Sequence, residues 1–265
     1  MKKSITLAVL LSASLTLAGC KPRHGAPAPA SADTDTSSTA TPPIFSAPKL
    51  SAYQHGRIAG VVHFTGPAPK RIDIDMSMDP ACAFGASNMS EPYVIDKDRV
   101  ANVYIYIKSG VSPTLAVLST RPVRLDQTGC RYAPHVIALQ QGAAVEFTNS
   151  DATMHNIHVT PTQSGNPAVD ISQAPKGTAQ MEEFHVAETM IPVRCNNHPW
   201  MSAFINVAPN PYFDVTDADG SFSIPRLPPG NYILAAVHEK MGEQDIPVTV
   251  TAGGTVTADF TFRAK

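Results

Sequence analysis

From about residue 55 onward, apolar residues come in short bursts separated by Gly, Pro and polar turn residues. Ile58-Ala59-Gly60-Val61-Val62-His63-Phe64 and Val103-Tyr104-Ile105-Tyr106-Ile107 are β-branched and aromatic runs of strand length. Shorter runs follow at 136–139, 144–148, 157–160, 181–186, 191–195 and 203–207. After Pro209 the chain reads strand, tight turn, strand through Phe213–Ile224, where Asp219-Gly220 predicts a hairpin. Strands at Tyr232–Val237, Ile246–Val250 and Val256–Phe262 complete a small β module. No stretch of helical period follows the first residues. The pattern predicts an all-β protein built from sandwiches.

The N-terminal part reads differently. Lys2 and Lys3 precede an apolar run from Ile5 to Leu17, and Leu17-Ala18-Gly19-Cys20 supplies small residues for cleavage. The run falls short of the roughly 20 residues that cross a bilayer. Residues 20–54 are crowded with Pro, Ala, Ser and Thr and are expected to form a disordered tether, unable to bury enough apolar surface to order itself. Removing residues 1–19 takes away two lysines and no acids, so the formal charge moves from -2 to -4. That mild balance, with no basic run, gives no sign of nucleic-acid binding.

Candidate chemistry lies in Arg194-Cys195-Asn196-Asn197-His198-Pro199-Trp200-Met201, where a thiol, an imidazole and a thioether are spaced C-x2-H-x2-M. About forty residues earlier stands Asn149-Ser150-Asp151-Ala152-Thr153-Met154-His155-Asn156. Two His, one Cys and one Met form the ligand set of a trigonal copper site with a weak axial thioether. With Cys20 at the cleavage site and Cys195 in the candidate ligand loop, Cys82 and Cys130 remain and are expected to pair. His135 could join a second site but also suits a strand edge. His158, three residues after His155, falls on the other strand face. The acidic run before Gly220 fails as a calcium loop, because position one would be Val215 and position twelve Arg226.

Leu17-Ala18-Gly19-Cys20 resembles the lipobox of bacterial lipoproteins, which implies lipidation of Cys20 and an anchored protein in the cell envelope on the periplasmic side. Lys21 after the Cys favours the outer membrane. Residues 130–208 resemble a cupredoxin of the plastocyanin/amicyanin type, a Greek-key sandwich, on the stretch Gln141–Asn149, His155-Asn156 and the short ligand loop. That resemblance implies His155, Cys195 and His198 as in-plane ligands of one type 1 copper and Met201 as the axial ligand. It also implies that Asn156 steadies the loop near the sulfur. Val193 departs from the family, which commonly carries an aromatic residue there. Arg194 is expected to reach solvent. The loop is also similar to that of the dinuclear oxidase centre, but Ile191 stands where the second Cys would be needed.

Thr216-Asp217-Ala218-Asp219-Gly220-Ser221-Phe222 and Leu227-Pro228-Pro229-Gly230-Asn231-Tyr232 resemble the carboxypeptidase regulatory-like (transthyretin-like) sandwich. Gly56-Arg57-Ile58-Ala59-Gly60-Val61-Val62 looks like that family's opening strand. The expected organisation is a signal peptide at 1–19, the tether at 20–54, a β-rich segment at 55–128, a copper domain at 129–208 and a regulatory-like module at 209–265. Residues 55–128 are either the first half of a regulatory-like sandwich split by the copper domain or extra strands of the copper domain. The leading expectation is a one-electron carrier rather than an enzyme. Electrons would pass through an exposed edge of His198 beside Trp200 to a cytochrome c or a periplasmic oxidoreductase. Copper storage or delivery, and a purely structural envelope role, are the alternatives.

Overall fold

The computed structural model describes residues 54–83, 88–112 and 121–264. The leader, Cys20 and the tether up to Tyr53 lie outside them. Among the described residues there are strands and turns and no helix. The chain opens with β1 (Gly56–Phe64), β2 (Ile95–Asp96), β3 (Arg99–Val100) and β4 (Tyr104–Ser109). A middle block follows: β5 (Val123–Gln127), β6 (Tyr132–Ala133), β7 (Val136–Gln140), β8 (Ala144–Asn149), β9 (His155–Val159), β10 (Val169–Gln173), β11 (Gln180–Glu183), β12 (Glu188–Arg194) and β13 (Ser202–Ala208). The last block is β14 (Phe213–Val215), β15 (Ser221–Leu227), β16 (Gly230–His238), β17 (Gly242–Val250), β18 (Thr255–Thr257) and β19 (Phe260–Phe262).

The first and last blocks share sheets. β1 pairs antiparallel with β15 on one side and parallel with β18 and β19 on the other. β4 lies between β14 and β16 in the facing sheet, ordered β14-β4-β16-β17. Their common core contains Ile58, Val62, Ile105, Ile107, Phe222, Leu234 and Phe260. Gly60 is required by this pairing, because a Cβ there would stand 1.9 Å from the carbonyl oxygen of Ala258. The middle block forms a second sandwich from the sheets β10-β9-β12-β13-β7 and β11-β8-β5-β6. Leu125, Val145, Phe147, Ile157, Val193 and Ile205 fill its core. Thus β5, although within the 55–128 stretch, pairs with β8 and β6. The segment before β2 also crosses over, since Met76 and Cys82 pack into the second core.

The Asp219-Gly220 turn is not a hairpin. β14 pairs with β4 and β15 with β1, so the turn carries the chain from one sheet of the sandwich to the other. Gly220 takes φ 75°, Asp219 Oδ1 accepts the Ser221 N–H, and Asp214 Oδ2 reaches over to accept the Ser223 N–H. Asp214 and Asp219 thus cap the N–H groups of this corner, in keeping with a turn and not a calcium loop.

Both faces of β4 are buried, which explains why its sequence runs apolar without alternation. Ile105 and Ile107 face the first core, while Tyr104 and Tyr106 face a seam shared with Ala208, Ala235 and Val237. A polar clamp joins the two sandwiches nearby. His135, which opens onto β7, bonds through Nε2 to Glu239 Oε1 at 2.7 Å, and its Nδ1 lies 3.0 Å from the Ser202 carbonyl oxygen. Burial pushes the Glu239 carboxyl up, but the bond to His135 together with the positive charges of His135, Lys240 and His238 outweighs it and holds the group below its ordinary range.

His238 adjoins this clamp, 2% exposed. Its Nδ1 accepts the Lys240 N–H at 3.1 Å, so a proton on that nitrogen would face another proton. Burial is the main reason that its pKa falls from 6.5 to about 4, against the pull of Glu239 and with some help from His135 and Lys240. A histidine whose folded pKa is depressed contributes stability in full above the unfolded pKa and loses it as pH falls toward the folded one. Folding stability is therefore expected to drop by on the order of 3 kcal/mol between pH 7 and pH 4 from this group. Urea denaturation across that range checks it, and His238→Gln should flatten the profile.

Candidate metal centre

The site forms where three strand ends meet. β9 begins at His155, and β12 ends at Arg194, one residue before Cys195. β9 and β12 are paired, with Arg194 opposite His158, which carries Cys195 to the start of β9, where its Sγ meets the Asn156 N–H next to His155. The turn into β13 is closed by two backbone bonds, Met201 N–H to His198 O at 2.9 Å and Cys195 N–H to Met201 O at 3.3 Å. Pro199 stiffens that turn by fixing its φ.

His155, Cys195 and His198 offer donor atoms that all lie within 4.8 Å of one another, and all three residues are buried. His155 Nδ1 stands 2.9 Å from His198 Nδ1, and Cys195 Sγ stands 3.6 Å from His198 Nδ1. Met201 is 1% exposed and shares the core cluster of Cys195. Asn156 supports the sulfur directly through its backbone N–H, 3.3 Å from Sγ. Its side chain accepts the Asn196 N–H at 3.2 Å and donates to Asp170 Oδ1 and the Ile171 carbonyl, so it binds the ligand turn to β10. The Tyr132 hydroxyl lies against the carbonyls of both Asn156 and Arg194.

Two carboxylates decide the protonation of the rings. Asp151 Oδ2 is 2.8 Å from His155 Nε2, and Asp79 Oδ2 is 3.0 Å from His198 Nε2. A carboxylate can only accept, so both Nε2 atoms carry the hydrogen, and in the neutral rings both Nδ1 atoms present lone pairs. Those lone pairs face each other across 2.9 Å inside the protein. A shared proton would relieve this only by making an imidazolium, and burial holds His155 below its ordinary pKa. A bound cation relieves it without that cost. Two imidazoles with a thiolate, beside a buried thioether, are the donor set for a soft or borderline metal ion.

Two further triads of donors border this one, Asp79-Cys82-His198 and Cys130-Asp151-His155. Their sulfurs are unavailable, because Cys82 and Cys130 form a disulfide with Cα atoms 5.6 Å apart. Cys195 is the free cysteine among the described residues. His135 is engaged in the inter-sandwich clamp. His158 is half-buried and bonded to Asn196 Oδ1, away from the three donors. Arg194 is exposed, as its sequence position suggests.

The exposed His198 edge expected from the sequence does not exist. The His198 side chain is 5% exposed, because the turn carrying Asp79 covers its Nε2. Trp200 is half-buried, packs on His198 at 5.2 Å and donates its Nε1–H to the Cys130 carbonyl. Sequence reading passed over Asp79, Asp151 and Tyr132. Asp151 carries a faint signal, four residues before His155 in the loop between β8 and β9. Asp79 is 119 residues from its partner, and only the nearby Cys82 marks its segment as pinned.

Residues 197–263 match the family model of the carboxypeptidase regulatory-like domain. The first part of that match, through β13, lies in the metal-centre sheet, while β14 to β19 lie in the other sandwich. No curated protein matches the chain. Solved structures similar to it are cupredoxins. The Cu(I) form of an amicyanin point mutant is 21% identical, with 39% of this chain and 97% of that one covered and a TM-score of 0.30. The purple cupredoxin from Nitrosopumilus maritimus is 19% identical over 32% of this chain and 98% of its own, with a TM-score of 0.28. A copper-containing nitrite reductase from Thermus scotoductus SA-01 is 17% identical over 55% of this chain and 28% of its own, with a TM-score of 0.31. At such scores the likeness adds nothing to the reading of the centre, which stands on its own donor atoms.

Asn156→Ala would leave the Asn196 N–H and the Ile171 carbonyl without their partner. Loss of stability by about 2 kcal/mol is expected, measurable by chemical denaturation of the metal-free protein.

Proposed function

We propose that this protein binds a single copper through His155, Cys195, His198 and Met201 as a type 1 centre and carries one electron at a time. The observation that carries the reading is the pair of buried Nδ1 lone pairs, held face to face beside a cysteine sulfur by two carboxylates. Thiolate and thioether favour Cu(I) and imidazole suits both oxidation states, so this set points to copper ahead of zinc. Copper, when bound, would supply the one-electron couple. The residues do the rest: the strand pairing fixes Cys195 and His155, the short turn fixes His198 and Met201, and Asn156 holds the turn to the neighbouring strand. Burial of all four side chains suits exchange of an electron rather than of a substrate, which supports a carrier over an enzyme.

On this reading, anchoring at Cys20 would hold the protein at the periplasmic side of the envelope, on the outer membrane, with the tether giving it reach toward a cytochrome c or a periplasmic oxidoreductase. Residues 123–208 would be an insertion within a regulatory-like sandwich completed by β1 to β4, a view supported by the pairing of β1 with β15, β18 and β19. A second reading, copper storage or delivery, is favoured by one fact. The ring edge of His198 is covered, so the shortest route to a docked partner is closed.

Copper-loaded protein is expected to bind one ion and to show an intense visible band from thiolate-to-copper charge transfer. Cys195→Ser should abolish it. A colourless wild-type protein after loading would refute the type 1 assignment. Fast electron self-exchange supports the carrier. Slow exchange with ready transfer of copper to an acceptor supports delivery.

A further inference from the structure

The stretch from Asp75 to Cys82 is a cap on the metal centre, built to deliver one carboxylate. It is folded by its own turns: the Ser77 N–H donates to Asp75 Oδ1, the Asp79 N–H to the Met76 carbonyl and the Cys82 N–H to the Asp79 carbonyl. The Asp79 carboxylate takes three donors. Oδ1 accepts the Ala81 N–H at 2.8 Å, and Oδ2 accepts the Thr153 hydroxyl at 2.7 Å and His198 Nε2–H at 3.0 Å. Thr153 is two residues from His155, so Asp79 touches the approaches to both histidines. Met76 is buried in the metal-centre core beneath the cap, while Met78 on its outer side is 73% exposed.

The disulfide locks this cap to the other histidine's support. Cys82 closes the cap and is bonded to Cys130. The N–H groups of Gly129 and Cys130 donate to Asp151 at 2.7 and 2.8 Å, and Asp151 accepts from His155 Nε2. The Cys130 carbonyl accepts the Trp200 indole, which packs on His198. One covalent bridge therefore spans the two carboxylates that orient the two rings.

We infer that Asp79 is a positioning residue for His198, held over it by the Cys82–Cys130 bridge, and that this cap retains the metal and sets its electronic character. The inference rests on the copper reading for its metal-bound consequences, but its core, the fixed ring and tautomer of His198, belongs to the metal-free protein as well. An anion hydrogen-bonded to the far nitrogen of a ligating imidazole fixes the tautomer and makes the near nitrogen a stronger donor. Loss of such partners typically weakens metal binding by about 10- to 100-fold. Removing a negative charge from beside the centre also favours the reduced ion, so the reduction potential should rise.

The test uses the full chain as wild type, Asp79→Ala, Asp79→Asn and the double variant Cys82→Ser with Cys130→Ser. In the metal-free protein, long-range nitrogen–proton correlation of the imidazoles should show His198 as a single Nε2–H tautomer. Asp79→Ala should give mixed tautomers. In the copper-loaded protein, Asp79→Ala should transfer copper to a small chelator at least about 10-fold faster and show a raised midpoint potential. Asp79→Asn, which keeps an oxygen acceptor without the charge, should preserve the tautomer and still raise the potential. The double serine variant should follow Asp79→Ala in chelator access; if it fails to fold, the Asp79 variants decide alone. An unchanged tautomer, together with unchanged transfer rate and potential, in Asp79→Ala overturns the inference. A wild-type protein that takes up no copper overturns the copper reading instead, and the imidazole spectra still decide the role of Asp79.

Discussion

Two imidazole lone pairs pointed at each other across 2.9 Å form the constraint around which the middle sandwich is arranged. Like-oriented dipoles in a dry interior repel, and the protein holds them there through partners at their far ends. Each far nitrogen is fixed by a carboxylate, and each carboxylate is itself saturated by other donors: Gly129 and Cys130 for Asp151, Ala81 and Thr153 for Asp79. Neither acid can relax by turning away without abandoning two further hydrogen bonds. The stored repulsion is the natural counterpart of cation affinity.

The supports for that arrangement come from distant parts of the chain. Asp79 arrives from the segment between β1 and β2, strands of the other sandwich, and Cys82 fastens it. His135, at the mouth of β7, ties the residue after Met201 to Glu239 of the other sandwich. The buried seam of Tyr104, Tyr106, Ala208, Ala235 and Val237 packs against the same region. The sandwich of the first and last blocks thus braces the metal-centre sandwich, through one hydrogen-bonded clamp and one apolar seam.

The all-β class and most strands were legible because the burial pattern of sandwiches imprints short β-branched runs bounded by turn residues. β5 and β10 were not, since Arg124, Asp126 and Asp170 interrupt them and their buried members include Gln127 and Gln173, which bond each other in the interior. Local pattern cannot show that a buried amide pair substitutes for an apolar one. The convergence of His155, Cys195 and His198 was legible because donor chemistry restricts both residue type and spacing. The carboxylates behind them were not, because a supporting acid needs only to reach a nitrogen and can come from any part of the chain. The same blindness produced the mistaken open edge at His198: spacing describes what a turn contains, not what lies upon it. The Asp219-Gly220 corner misled for a related reason, as turn chemistry fixes the bend and not which sheets it joins.

Strand β1 bears on biogenesis. It is synthesised early, and the early β3 pairs with it only at His63, yet its main neighbours on both sides, β15 and the β18–β19 pair, come late, with the Val61 N–H reaching Asp259 across 198 residues. At ordinary rates of synthesis the strand waits on the order of ten seconds or more for partners. During that interval its apolar members Ile58 and Val62 present a bare pairing edge, the kind that recruits foreign strands. The middle block is complete at Ala208, before β15 begins at Ser221 and well before β18, and can form its sheets while the outer one is still open. The nascent chain is therefore most exposed to misassembly at its earliest strand.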